Sequence, residues 1–405
     1  MSESSGAQVA MKMLGAPLEL PCGVVLKNRL VKAAMSDSLG DGGGNPTEEQ
    51  VRLYERWSDG GSALSLIGEV QVDPRYPEKP GNLVLSPHPD RRGLTRLAHA
   101  GADGNAHVWP QLGHAGALAY PPVSHPAGPS ELNLDGLRCE ALSSADVDAL
   151  PETYAAAAGV AQAVGFSGVE VHAGHGFLLS QFLSPLFNRR NDRYGGDIEA
   201  RCQILLDVVR HIRHAVGAEF AIAVKVNSSD QLEGGLTEDD ALTVVELLGS
   251  NRVDLIDISG GTYFPGAASS SDRTTSGPYF LEFAQRARTV TDSPLMMTGG
   301  FKTRGEAGAA VESGAVDAVG LARALVLDPD LPTKWLQPEG GDPEFPTFPS
   351  PPPGGVTAWY TMRLTALANH NEAGFDPELD TAIADYESRD AERVGAWREQ
   401  FGTTP

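Results

Sequence analysis

His172 and His175 stand at the end of a Val-rich run, Phe166 to His172, which is bounded by glycine and reads as a short buried strand. Between them, Ala173 and Gly174 are small enough to let the backbone bend and something flat approach it. Read from spacing alone, the pair is open to a zinc site or to two structurally hydrogen-bonded rings. Polar groups at the C-terminal rim of parallel strands are where α/β barrels do their chemistry.

Lys225 is the second group that needs an explanation. It interrupts the apolar run Phe220 to Val226, where an unpaired ammonium is costly to bury. Either a ligand that carries or develops negative charge compensates it, or an ion pair with Glu69 or Asp257 does. A third candidate is Gly299-Gly300 together with Ala322-Arg323. Consecutive glycines offer backbone amides and Arg323 offers a planar charged fork, the makings of a phosphate cradle.

These groups must be positioned by the elements around them. Apolar runs recur at Leu30 to Met35, Ser62 to Glu69, Ala106 to Leu112 and Phe166 to His172. They continue at Phe220 to Val226, Val253 to Ile258, Pro294 to Thr298 and Val316 to Leu321. Helical stretches alternate with them, opening at Thr47-x-x-Gln50, Thr237-x-x-Asp240 and Thr303-x-x-Glu306 with capping-box spacing. Eight strand–helix units predict an α/β fold of the closed (β/α)8 TIM barrel type. A doubly wound sheet is the alternative, but no Gly-x-Gly-x-x-Gly follows the first run. In a barrel the candidates fall on one rim: Ala34, Met35 and Ser36 after strand one, Glu69 after strand two, Gln111 after strand three. The barrel is expected over residues 1–337, with residues 1–25 a loose tail and opening turn. Pro-rich Gly113 to Leu142 reads as a rim excursion. Residues 338–405 read as a Pro-rich linker and a C-terminal helical extension, packed on the barrel or on a partner subunit.

With 405 residues, 41% of them hydrophobic, the chain can bury a substantial core. A net charge of −22 argues against nucleic acid and anionic membrane as partners, so any phosphate must be held by a few placed groups. The three cysteines (Cys22, Cys139 and Cys202) show no Cys-x-x-Cys spacing, which argues against an iron–sulfur cluster and fits a reducing cytoplasm. No run reaches membrane-spanning length.

Gly168-Val169-Glu170-Val171-His172 through Gln181-Phe182-Leu183-Ser184-Pro185 runs into Asn188-x-Arg190-x-Asp192-x-Tyr194-Gly195-Gly196 and Glu199-x-x-Arg201. This stretch resembles the old yellow enzyme (NADH:flavin oxidoreductase) family of FMN-dependent barrels. Lys32-Ala33-Ala34-Met35-Ser36, Gln111-Leu112-x-His114-x-Gly116, Ser259-Gly260-Gly261 and Thr298-Gly299-Gly300-Phe301 fall in the family's order, and the resemblance covers roughly residues 14–337. It implies FMN, reduced by NADH or NADPH, and hydride transfer to the alkene of a small α,β-unsaturated carbonyl compound. It implies that Ala34, Met35 and Ser36 line the flavin, with Ser36 near the C4 carbonyl and Gln111 at the pyrimidine edge. Glu69 belongs to the same cofactor rim. Lys225 takes the place of a cation beside N1 and the C2 carbonyl, and Gly299, Gly300, Ala322 and Arg323 hold the phosphate. His172 and His175 donate to the substrate carbonyl, so no metal is expected there.

Two departures stand out. Ala322 replaces a usual glycine, which leaves the backbone amide in place. Phe177 replaces a tyrosine whose hydroxyl protonates the α-carbon, and phenylalanine cannot donate a proton. Tyr263, Tyr120 or water would then serve as donor, or the principal reaction is isomerisation or dehydrogenation. A metal-dependent hydrolase would need His-x-His after strand one, where Met35-Ser36-Asp37 stands; a non-catalytic flavin-binding module is the third reading. The resemblance also implies a homo-oligomer. Specificity is expected in Gly113–Leu142, in the Gly261–Pro278 loop and in the C-terminal piece.

Overall fold

A computed structural model of the chain describes residues 3–85, 89–265, 267 and 277–402. Eight parallel strands close on themselves: β1 (Leu30–Ser36), β2 (Leu64–Gln71), β3 (His107–Gly113), β4 (Gly168–Ala173), β5 (Ala221–Asn227), β6 (Leu255–Ser259), β7 (Leu295–Thr298) and β8 (Ala318–Leu321). Each pairs with the next, and β1 pairs with both β8 and β2, so the barrel has no open edge. Every residue of β2, β4, β5, β6 and β8 is buried, as expected of strands covered by side chains within and helices without. The (β/α)8 barrel is the fold. The expected residues 266 and 268–276 of the specificity loop lie outside the described residues.

The outer ring is α1 (Glu48–Asp59), α2 (Arg91–His99), α3 (Ser144–Ala163), α4 (Ile198–Val216), α5 (Glu238–Ser250), α6 (Leu281–Ala287), α7 (Arg304–Glu312) and α8 (Arg323–Leu327). Thr47, Thr237 and Thr303 all cap as their spacing predicts, each accepting from the backbone amide three residues on. Only Thr303 and Glu306 complete the reciprocal box. Gln50 instead donates to buried Asp37 at 2.9 Å, and Asp240 accepts from Arg201 at 3.0 Å. A buried charge outcompetes a solvent-edge cap for these side chains.

From residue 3 on, the expected loose tail is not one. Glu3–Gly15 is a helix on the flank of α7, with Leu14 fully buried, and a Cβ at Gly308 would lie 2.4 Å from Ala10 Cβ. Ala7, Ala10, Met11 and Leu14 recur at helical spacing, and Ala10 and Leu14 of that face are buried; a helix this short gains most of its stability from such docking. A hairpin, Leu18–Glu19 with Val25–Leu26, then brings Leu18, Leu20 and Leu26 against Leu64, Trp109, Ala221 and Leu255 at the N-terminal ends of the strands. One mouth is thereby closed, and chemistry is left to the other.

The excursion after β3 carries a small sheet of Ala127–Gly128, Leu132–Leu134 and Leu137–Ala141. At the far end of the chain, α9 (Gly355–Ala368) packs on α1 and α8, and α10 (Leu379–Phe401) packs on α9. Along α10, Trp397 is buried with Val84 and Val123, and Arg398 donates to Pro122 O at 2.7 Å.

Gly308→Leu should lower stability by about 1–3 kcal/mol by overpacking the contact with Ala10. Hydrogen exchange should then find residues 6–15 unprotected; full protection there would contradict the docking described.

Candidate active site

At the C-terminal mouth lies a cavity of about 520 Å³. Ala34, Met35 and Ser36 reach it from β1, Glu69 from β2 and Gln111 from β3. His172 ends β4, and His175 and Phe177 follow in the turn after it; Tyr263 comes from the segment after β6. Gly299 and Gly300 after β7, with Ala322 and Arg323 after β8, form another part of the same wall. Lys225 is the one expected site residue that does not line it.

The histidines are fixed by what their other atoms do. Gly174 N donates to His172 Nδ1 at 3.2 Å, so the proton sits on Nε2, which faces Glu69 Oε1 at 3.2 Å. His175 adopts φ 57°, held by Asn227 Oδ1, which accepts from its backbone amide at 3.0 Å, and its Nε2 lies 2.9 Å from Ser259 Oγ. The two rings meet edge to face at 5.1 Å. Burial and the Lys225 ammonium push His172 down to about 3; burial, His172 and Lys225 hold His175 well below its ordinary value. Both are therefore neutral imidazoles at physiological pH. Phe177 packs at 4.9 Å from the His172 ring and 5.9 Å from that of Tyr263. Tyr263 keeps 56% of its surface open; the protein packed around its hydroxyl end, with Glu78 and Glu69 nearby, raises that hydroxyl above the usual range.

Lys225 resolves differently from the ligand-compensation expectation. Strand register sets it beside Asp257 of β6, and the two form a buried ion pair. Asp257 also accepts from Thr298 Oγ1 at 2.8 Å. On the other side Lys225 Nζ is 4.0 Å from Glu170, which accepts from Gln111 Nε2 at 2.5 Å. Burial opposes the lysine charge, but Asp257 and Glu170 outweigh it and raise its pKa. Burial pushes Glu170 up to about 8. A polar layer thus runs through β3, β4, β5, β6 and β7, bounded by Gln111 and Thr298 at the cavity wall.

The glycine corner is built for close approach. Gly299 and Gly300 have φ of 133° and 87°, and a Cβ on Gly300 would lie 2.1 Å from Gly277 O. Arg323 sits 5.6 Å from the Tyr360 ring and pairs with no carboxylate among the described residues. Lys302 lines the same corner.

Several wall residues carried no signal in the sequence. Glu78 and Lys79 come from the loop after β2, Tyr360 from α9 and Tyr386 from α10. The helical segments of the extension were legible, but which of their aromatic residues reach the barrel mouth depends on docking. Among the described residues, no three His, Cys, Asp or Glu side chains group as a metal site, and no helix is long and apolar enough to cross a membrane.

Residues 14–338 match the NADH:flavin oxidoreductase / NADH oxidase family. The chain belongs to that family. It is similar to the NADH-dependent flavin oxidoreductase iliE of Hypocrea jecorina, with 33% identity across 87% of this chain and 96% of that one. It is also similar to a metal reductase of Desulforamulus reducens, 31% identical across 82% of this chain and 50% of that protein. Among solved structures, the fold is shared with morphinone reductase (TM-score 0.70, 23% identity, 82% of this chain and 91% of that one). It is likewise shared with an old yellow enzyme homologue from Zymomonas mobilis (TM-score 0.68, 22% identity, 80% and 92%). This member of the NADH:flavin oxidoreductase family is an enzyme whose cofactor is FMN and whose reductant is a nicotinamide. The structure fits that cofactor: positive-φ Gly299 and Gly300 line the cavity together with Arg323, which pairs with no carboxylate among the described residues and offers charge for a phosphate.

Gly300→Ala should weaken FMN retention at least about tenfold, read as flavin absorbance per protein after gel filtration. Lys225→Met should cost about 3–5 kcal/mol in thermal or denaturant unfolding, because Asp257 is left buried and unpaired. Adding Asp257→Asn should recover part of that loss.

Proposed function

We propose that this enzyme reduces the carbon–carbon double bond of a small α,β-unsaturated carbonyl compound with electrons from NADH or NADPH. The observation that carries the reading is the pair of neutral imidazoles on the cavity wall beside Phe177. A neutral imidazole with one ring nitrogen protonated is a hydrogen-bond donor without a net charge, suited to a carbonyl oxygen on which negative charge develops. His172 would exchange Glu69 for that oxygen, and His175 would turn its Nε2 from Ser259. FMN, when bound, supplies hydride chemistry. In this reading Gly299, Gly300, Ala322 and Arg323 hold its phosphate. Ala34, Met35, Ser36, Glu69 and Gln111 surround its ring, and Lys225 provides the cation at the pyrimidine end through the polar layer.

The name of the Hypocrea relative supports NADH. The three cysteines are all free, which supports a reducing compartment. The extension belongs to the same working unit, since Tyr360 and Tyr386 line the cavity. Phe177 supports a second reading, isomerisation or dehydrogenation of an enone, because its ring occupies the place of a proton donor and has no hydroxyl.

The FMN-loaded enzyme should bleach with NADH in the absence of oxygen and regain its colour on adding 2-cyclohexen-1-one. In His172→Ala/His175→Ala, reduced chemically, the recovery should slow about 10²–10³-fold. Conversion of an enone with no consumption of NADH would favour the second reading instead.

A further inference from the structure

Net reduction of a conjugated carbonyl needs a proton at the α-carbon, and Phe177 has none to give. The remaining ionisable groups on the wall differ in how they are engaged. The Lys79 ammonium lies between the rings of Tyr120 (4.7 Å) and Tyr386 (5.0 Å) and pairs with Asp390 at 3.3 Å. Tyr386 is engaged by that ammonium, and Tyr263 keeps 56% of its surface exposed. The two carboxyls on the wall are Glu69 and Glu78. Glu69 is closed in: Oε1 faces His172, and Oε2 is buried without a partner, so near Gly113 that a Cβ there would lie 2.5 Å away.

Glu78 is arranged differently. Its Oε2 accepts from Ser36 Oγ at 3.1 Å and from Asn82 Nδ2 at 3.4 Å. Asn82 in turn is fixed by accepting from Lys79 N at 2.8 Å. The other oxygen, Oε1, has no partner among the described residues and is not sealed from the cavity that Glu78 lines. A carboxyl anchored at one oxygen and open at the other can hand over a proton without leaving its place.

We propose that Glu78 is the acid that protonates the substrate's α-carbon, the task for which Phe177 lacks a hydroxyl. The assignment rests on the enone reading above. As the β-carbon gains hydride, the C=C π pair passes toward the α-carbon and the carbonyl oxygen. That pair then forms a bond to the Glu78 proton, leaving a carboxylate that water reprotonates. One double bond becomes two C–H bonds, and NADH or NADPH is the reductant.

The electrostatic setting agrees with this placement. Burial lifts Glu78 to about 7; Lys79 opposes the lift, Glu69 and Asp390 add to it, and Asn82 opposes it. Tyr263, Tyr386 and Arg389 complete the titratable and charged groups near it. An acid tuned near the working pH is part protonated there and can be reloaded from water. Its protonated fraction falls as pH rises through about 7, so the step it serves must slow in that direction.

Glu78→Gln keeps an oxygen acceptor for Ser36 and Asn82 and removes the proton. FMN-loaded wild type and variant are reduced with dithionite without oxygen and mixed with 2-cyclohexen-1-one in a stopped-flow instrument. The variant should reoxidise about 100-fold more slowly or worse. Wild type should slow as pH is raised through about 7, whereas the variant should show no such limb. Adding Phe177→Tyr to Glu78→Gln should restore part of the rate by supplying a new donor. Infrared spectra of the resting proteins give a readout independent of turnover: the wild-type protonated-carboxyl band at about pH 6 should carry a component that is absent in the variant, while the components from Glu69 and Glu170 remain. Wild-type reoxidation by Glu78→Gln, or persistence of the pH limb in it, would overturn the assignment, as would an unchanged carboxyl band. Reduced wild type that reacts with no enone at any pH would instead overturn the enone reading, and the role of Glu78 with it.

Discussion

A lysine ammonium kept charged inside an apolar barrel constrains much of what surrounds it. Lys225 and Asp257 are each at most 1% exposed, so neither charge has water to lean on. Their pairing needs β5 and β6 in one register and Asp257 held by Thr298 of β7. Glu170 and Gln111 extend the same layer through β4 and β3. A slip of one residue would turn every one of these side chains to the wrong face, so the layer fixes register as well as charge.

The same charge reaches the chemistry. With burial, it contributes to keeping both His172 and His175 neutral. Their backbone and Ser259 contacts then set where their nitrogens lie. Both imidazoles are thus held uncharged and in fixed orientation on the cavity wall. Glu69 and Glu78, in contrast, are raised by burial to about 8 and about 7, so acids and neutral donors share one wall.

The barrel alone does not complete that wall. Tyr386 of α10 covers Lys79, and Tyr360 of α9 lies over Arg323, so both ends of the cavity take an aromatic ring from the extension. Asp390, paired with Lys79 and accepting from Ser38 Oγ at 3.4 Å, ties α10 to the loops after β1 and β2. A ring over each cation excludes water while leaving the charge in place.

What the sequence determined by itself is the part written in local pattern and residue type. Eight buried runs separated by capped helices specify the barrel, because strands covered on both faces are continuously apolar and Thr at an N-cap has one job. Rim residues such as His172, Gln111 and Arg323 were legible because each lies at or just past the C-terminal end of such a run. Tertiary structure decided the rest. Glu69 and Asp257 were equal candidates for Lys225 until strand register chose Asp257, and Asp37 drew Gln50 from its expected cap. The N-terminal helix waited on Gly308, and Glu78 and Tyr386 reached the cavity that the histidines line only when distant segments met. Interactions between residues hundreds of positions apart leave no periodic trace in the chain; they exist only once burial has brought the segments together and removed the water that would otherwise satisfy them.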